Sequence, residues 1–337
     1  MTIIRVPFHQ DERLPDDSVP VGGETVEPAL PDGAIWERLT ALHDAVADRV
    51  ARQIRAGAVP TVVSGDCLVA LGTVAGVQRA GVDPGLVWFD AHGDVHTLDT
   101  TTSGYLGGLS LRLALGAHPD LVAGPLGLRP VERALLVGAR DLDPAEVAYL
   151  SGDTAPAVRA VDDLGARPRD REAAAPIVDD LGALPRRSDG DVPAAPIVDD
   201  LGALPRGSDG DVPAAPVVAD LGALPDGPLV LHVDDLGALP RGSDGDVPAA
   251  PVVADLGALP DGPLVLHVDV DVIDDAELPG LLFPAPDGPS AAAVHEAMRR
   301  ILATGRVVAL DIACPWHPAP TAEIQAARRD LLATLTS

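Results

Sequence analysis

A three-layer α/β fold, with helices on both faces of a mostly parallel β-sheet, is what this 337-residue sequence predicts. Three observations carry it. Short, almost wholly apolar runs recur along the chain, and strands that are apolar on both faces belong to a sheet covered on both sides. Segments with apolar residues at three- and four-residue steps alternate with those runs, as helices alternate with strands in βα units. Two of the apolar runs also end in alternating carboxylates, and open parallel sheets bind their ligands outside the carboxyl ends of the strands.

The elements follow in order. TIIRVP at 2–7 is the first apolar strand candidate. Over 34–56, Ile35, Leu39, Leu42, Val46, Val50 and Ile54 form one apolar stripe, so a helix is expected there. PTVVS at 60–64 reads as the next strand and 67–80 as a helix. LVWFD at 86–90 and ERALLV within 132–138 give two more strands, the latter at 133–138, followed by a helix at 143–150. After a long repetitive stretch come a strand at 263–270, a helix at 289–304, a strand at 306–312 and a helix at 320–335.

Composition narrows the function classes. A chain of this length can bury one large or two modest cores. With 47% hydrophobic but only 2% aromatic residues, the core must be built from Ala, Val, Leu and Ile. A net charge of −27 argues against nucleic acid or an anionic membrane as partner. It suits a cationic small-molecule substrate and divalent metals, and equally a solubilising surface. All 24 basic residues are Arg and neither Lys nor Asn occurs, which reads as the coding bias of a GC-rich genome. Two cysteines, Cys67 and Cys314, do not make a disulfide framework. The N-terminus lacks a basic start followed by an apolar region, and no apolar run approaches the ~18 residues of a membrane span. A cytoplasmic location is the expectation.

The middle of the chain repeats itself. Residues 198–232 recur identically at 233–267, and LGALP begins at 181, 201, 221, 236 and 256. The spacing alternates between 20 and 15 residues, and each unit carries Pro, Gly and Asp where a helix or strand would have to continue. Such units bury too little apolar surface to offset ordering entropy. The expected organisation is one α/β domain in two parts, 1–160 and 260–337, separated at 161–259 by a tandem-repeat expansion that is disordered or irregular. Residues 178–267 carry 16 acidic and 4 basic side chains, so they supply −12 of the −27. The segment PDGPLVLHVD occurs at both 225–234 and 260–269. The later copy is expected in the sheet, because it alone continues as VDVIDD and connects directly to the C-terminal strands.

The chemistry is concentrated at two strand ends. LVWFDAHGDVHT at 86–97 puts Asp90, His92 and Asp94 on alternate positions as the apolar run stops. Residues two apart in an extended chain point to one face. Two carboxylates and an imidazole are thereby aimed at one point, as a divalent metal site requires. LVLHVDVDVIDD at 264–275 repeats the logic with Asp269 and Asp271. Phosphate-cradling, dinucleotide-binding and nucleophile-elbow motifs are absent.

With SGDC at 64–67, DAHGD at 90–94 and DVDVID at 269–274, the chain resembles the ureohydrolase family, the arginase and agmatinase group of dinuclear manganese hydrolases, as a divergent, actinobacterial-like member. The resemblance covers roughly 60–116 and 262–315. It implies two divalent ions, Mn²⁺ foremost, with Cys67, Asp90, His92, Asp94, Asp269 and Asp271 as ligands. Asp90 and Asp269 would bridge, and Asp274 would support them from behind. It also implies a metal-bridging hydroxide that attacks a guanidinium carbon of a linear amidine and releases urea, and assembly as a trimer or hexamer. Cys67 stands where the family has a His. As a softer ligand it moves the preference towards Zn²⁺ or Fe²⁺; as a small buried residue it leaves that position weak. TTTSGYLGG at 100–108 resembles the family's substrate loop, which assigns Ser103 to substrate binding. Gly107 takes the place of a proton-shuttling His, and His96, beside Asp94, is the candidate to recover the acid–base role with Asp94. In VVALDIACPWHP the family's guanidinium-binding Glu falls on Ile312, and Asp311 is the substitute if the register slips. His9, Asp11 and Glu12 are further candidates at the sheet's carboxyl edge. The runner-up is a catalytically impaired metal-binding homologue with a structural or regulatory role.

Overall fold

The computed structural model describes residues 2–152, 158–161 and 259–337. All of them fall in one unit of the chain, Met1–Arg169 with Pro228–Ser337. In chain order the strands are β1 (Thr2–Val6), β2 (Phe8–His9), β3 (Glu12–Arg13), β4 (Glu24–Thr25), β5 (Pro60–Ser64), β6 (Gly85–Phe89), β7 (Ala134–Val137), β8 (Val158–Val161), β9 (Leu264–Asp269) and β10 (Val307–Ala313). The helices are α1 (Ile35–Arg55), α2 (Val69–Arg79), α3 (Ser110–Ala114), α4 (Ala123–Leu126), α5 (Pro144–Leu150), α6 (Ala291–Leu302) and α7 (Ala322–Leu335).

Eight strands form one sheet in the order β4-β1-β5-β10-β9-β6-β7-β8. Every neighbouring pair in it is parallel. The small β2–β3 pair is antiparallel and separate. The chain jumps from β5 to β6 across two positions that β10 and β9 fill later. The carboxyl ends of β5, β9 and β6 therefore converge on the middle of the sheet, although Ser64 and Asp269, which end β5 and β9, lie far apart in sequence. The strand at 264–269, the later copy of the duplicated segment, is the one that pairs with both β6 and β10.

Side-chain parity divides the core into two layers. Val62, Leu86, Trp88, Val265 and Ala309 point to one face, where Leu39, Leu42 and Val46 of α1 and Leu71 and Val74 of α2 cover them. Their sequence neighbours Val63, Val87, Phe89, Leu266, Leu310 and Ile312 point the other way, towards Val294, Met298 and Ile301 of α6 and Leu332 of α7. Each large apolar side chain buried in this way contributes about 1.5–3 kcal/mol before entropy is counted. The three-layer arrangement expected from the apolar runs is the one found.

Local signals set the helix starts. At α5 the Asp143 carboxylate accepts the backbone N–H groups of Ala145 and Glu146, and Glu146 reaches back to the Asp143 N–H. Pro144 occupies the first helical position, where its missing N–H costs nothing. Ser290 and Thr321 cap α6 and α7. Helices α3 and α4 had no sequence expectation: SLRLA is too short to show a period, and AGPL contains Gly and Pro. The strands β4 and β8, two and four residues long, were not expected either. The 161–259 expansion lies outside the described residues, apart from Val161 and Leu259. Among the described residues no helix is long and apolar enough to cross a membrane.

Candidate metal centre

At the carboxyl ends of β5, β9 and β6 lies a cavity of about 330 Å³. Its lining includes Cys67, Asp90, His92, Asp94, Asp269 and Asp271, all of the residues named from the sequence as metal ligands. The backbone explains their approach. Asp90 directly follows β6, and its Oδ1 accepts the N–H of His92 two residues on, at 2.7 Å. Asp269 ends β9 and does the same for Asp271, at 2.8 Å. A carboxylate that bonds the amide two residues ahead turns the chain and stops the strand. Asp271 Oδ1 then accepts the Ala91 N–H at 3.2 Å, tying the two turns together. Asp94 sits at φ 52°, a left-handed conformation that Asp tolerates better than most residues.

The side chains form two groups that share one residue. Ligand atoms of Asp90, His92 and Asp271 all lie within 4.8 Å of one another, as do those of Cys67, Asp90 and His267. His92 Nδ1 stands 3.3 Å from Asp90 Oδ1 and 3.2 Å from Asp271 Oδ2. The Cys67 thiol donates to Asp269 Oδ2 at 2.7 Å, and Trp88 Nε1 donates to Asp90 Oδ2 at 3.1 Å. Asp94 Oδ2 is buried with no hydrogen-bond partner.

Electrostatics make this cluster short of positive charge. Burial, then the charges of Asp90 and Asp269, push the Asp94 carboxyl well above its ordinary range. Burial, then Asp271 and Asp90, do the same to Asp269. Asp271 is pushed up to about 6 by burial and by Asp90. Burial opposes charge on His92, but its hydrogen bonds to the acceptors Asp271 and Asp90 outweigh it and raise the imidazole to about 12. Burial, followed by the surrounding carboxylates, raises the Cys67 thiol. Four buried carboxylates gathered at one point are what a bound divalent cation would relieve. The donor set and the orphaned Asp94 oxygen fit such ions.

The opposite wall is acidic too. His96 Nε2 lies 2.9 Å from Asp143 Oδ2, and its Nδ1 is 3.1 Å from Thr100 Oγ1. Glu146, from the capping box of α5, completes a cluster with these two within 4.8 Å. Its carboxyl is raised, burial being the largest cause. Asp141, Ser103, Tyr105 and Phe283 complete the approach. Tyr105 OH donates to Asp66 Oδ2 at 3.1 Å. Any side chain at Gly107 would meet the Tyr105 ring, so Tyr105 fills the space that a residue there would use.

The structure thus brings Ser103 and His96 to the cavity together with the ligand candidates. It does not bring Asp311. That side chain is fully buried in the layer under α2, bonded to Thr73 Oγ1 and, at 2.8 Å, to His267 Nδ1. The strand keeps its register beside β5 and β9 at this position, so the slip that would carry Asp311 to the substrate does not occur. Ile312 packs in the opposite core. His9 reaches the carboxyl edge, 3.3 Å from Asp66 Oδ2, but does not line the cavity. Asp11 pairs with Arg38 and Glu12 is exposed. Asp274 accepts the N–H groups of Ala276 and Gly288, holding the loop behind the ligands.

Sequence reading missed Asp141, Asp143, Glu146 and Arg140. A signal was present: VGARDLDPAE follows an apolar strand and again places carboxylates two residues apart. Arg140 donates to the carbonyls of Asp271, Val272 and Ala285, at 3.2, 3.0 and 2.9 Å, and fixes the turn that carries Asp271.

Comparison with known proteins bears on these residues. The family model described as Arginase family matches residues 23–181 and 248–326. The arginase of Bacillus subtilis is 34% identical over 128 residues, 36% of this chain and 43% of that protein. The N(omega)-hydroxy-L-arginine amidinohydrolase of Streptomyces lavendulae is 38% identical over 118 residues, 35% of this chain and 40% of that protein. The chain thus spans about two fifths of the length of the curated relatives it matches. In fold, it resembles the crystal structure of Entamoeba histolytica arginase in complex with L-ornithine, with a TM-score of 0.62 at 18% identity, covering 100% of this chain and 98% of that one.

Proposed function

The chain belongs to the arginase family, and from that premise we propose that it is a metal-dependent hydrolase that cleaves a C–N bond of a guanidino or related linear amidine compound. The observation that carries the reading is the convergence of Asp90, His92, Asp94, Asp269, Asp271 and Cys67 on one cavity from three strand ends. In this reading Asp90, Asp269, His92 and Asp271 would hold one divalent ion, and Asp90, Asp269, Asp94 and Cys67 would hold a second. The oxygen-rich set favours Mn²⁺, and the Cys67 sulfur admits Zn²⁺ or Fe²⁺. When bound, the pair supplies a water activated for attack near neutral pH, its pKa lowered from 15.7 to about 7.

The chain's own residues do the rest. Asp141, Asp143 and Glu146 present negative charge to a cationic guanidinium along one wall, and Ser103 offers a hydroxyl at the entrance. Hydrolysis adds water across the C–N bond: oxygen joins the guanidinium carbon, and the amine leaves with a proton. Asp94 Oδ2, without a protein partner, is placed to accept the proton of the attacking water. His96, oriented by Asp143, is placed to deliver a proton to the leaving amine.

The test is urea release by the full chain, stripped of metal and then reloaded with Mn²⁺ or Zn²⁺. The panel is L-arginine, N(omega)-hydroxy-L-arginine and agmatine. Metal-dependent urea formation from at least one of them is expected, with loss of at least a hundredfold in Asp94→Asn. Tight metal binding without turnover of any guanidino compound would instead favour an impaired homologue. The observation behind that second reading is Cys67, whose thiol is already bonded to Asp269.

A further inference from the structure

We propose that His267 is a ligand of the metal position at Cys67 and Asp90, making it a nitrogen-, sulfur- and oxygen-donor site for a borderline-soft divalent ion of the Zn²⁺ class. The inference rests on the reading of the strand ends as a metal centre, and adds to it a residue from inside the sheet.

The placement follows from strand parity. Trp88, His267 and Asp311 are register partners across β6, β9 and β10, so they lie side by side on the α2 face. Asp90 and Asp269 follow Trp88 and His267 by two residues and therefore stand directly above them on the same face. The imidazole is fully buried and stacked on the Trp88 indole, with ring centroids 3.7 Å apart. One of its nitrogens is spoken for: Nδ1 lies 2.8 Å from Asp311 Oδ1, and Asp311 is held in turn by Thr73. A carboxylate can only accept, so Nδ1 is the donor to Asp311 and Nε2 is the nitrogen left for another partner.

That nitrogen is buried and has no hydrogen-bond partner among the described residues. A buried polar atom without a partner is costly, so the position favours a group that can bond it. An imidazole nitrogen of His267 lies within 4.8 Å of ligand atoms of Cys67 and Asp90, and Nε2 is the nitrogen left to serve. The carboxylate–imidazole pair is the arrangement that fixes the tautomer and orientation of a metal-binding His. Cys67 and Asp90 line the cavity, which gives an ion a way in. The mixed set suits zinc or cobalt better than manganese.

The experiment uses Co²⁺ as the probe on the metal-stripped full chain. Two equivalents are expected, one of them giving thiolate-to-cobalt charge-transfer absorption in the near ultraviolet. His267→Gln should lose the thiolate-linked equivalent and keep the other; Asp271→Asn should keep the band. Asp311→Asn, which alters only the residue that positions His267, should weaken the band-bearing equivalent by roughly 10–100-fold. A folded His267→Gln with the native band and stoichiometry would overturn the proposal. Should that variant not fold, X-ray absorption of His92→Gln with one equivalent of Zn²⁺ decides. A sulfur at about 2.3 Å with an imidazole nitrogen at about 2.0–2.1 Å supports it, and sulfur without imidazole sinks it. Two equivalents without a thiolate band would overturn this inference alone. No binding by the native chain would overturn the metal centre itself.

Discussion

Asp311 and His267 show how a single buried charge can be mistaken for a site residue and still matter. Asp311 has no exposed surface, and its carboxylate is stabilised by the Thr73 hydroxyl and the His267 ring. Removing the hydroxyl in Thr73→Val should therefore destabilise the fold by about 1.5–3 kcal/mol, the worth of a hydrogen bond to a charged group; denaturant unfolding measures it. Sequence made Asp90, His92, Asp94, Asp269 and Asp271 legible because strand parity alone puts alternating residues on one face. The same parity puts His267 on that face, but its partners Trp88 and Asp311 come from neighbouring strands whose pairing no local pattern encodes. The cluster also has a pH signature. Asp271 is raised to about 6 by burial and by Asp90, against about 3.9 in an unfolded chain. A group whose folded pKa is raised favours the folded state below its unfolded value and loses that contribution as pH rises through the folded one. Asp94 and Asp269 shift in the same direction. The metal-free protein should lose thermal stability between about pH 4 and pH 6 from Asp271, and added divalent cation should raise the melting temperature more at pH 7 than at pH 5. An equal effect of cation at both pH values would contradict the carboxylate-cluster account.

Among the elements, the turns after the strands matter more than the strands themselves. The apolar runs announced β5, β6, β7, β9 and β10 to within a residue or two, because a strand covered on both faces has to be apolar throughout. The loop after β7 also joins the site, and VGARDLDPAE carries the same alternation of carboxylates as the loops after β6 and β9. Its Arg140 spans from Gly138 to Asp271, Val272, Ala285 and Pro286 through carbonyl bonds. No other side chain type offers five donors in a rigid fork. Arg140→Lys should keep the charge yet loosen the Asp271 turn. The expected result is weaker occupancy of the Asp90–His92–Asp271 position, with the thiolate-linked position unchanged, read by cobalt titration.

For the whole molecule, the sheet order is the decisive fact. Strands β9 and β10 are the last to be made and take the two central places, so the site is complete only when the far end of the chain returns between β5 and β6. The sequence made the strands legible, but their order across the sheet depends on long-range pairing that no local pattern encodes. The duplicated segment offers a test of how far the 161–259 stretch matters. Deleting 198–232 leaves the identical copy at 233–267, and with it the whole of β9. Metal stoichiometry and melting temperature should be unchanged within error; loss of either would give that stretch a structural part. The most direct measurement of the central claim is the number of metal ions retained per chain after dialysis, by elemental analysis, in the native protein and in Asp90→Asn. Asp90 belongs to both ligand groups. The account predicts two ions in the native chain and none held tightly in Asp90→Asn. A native chain that retains no metal, or an Asp90→Asn chain that keeps both ions, would contradict it.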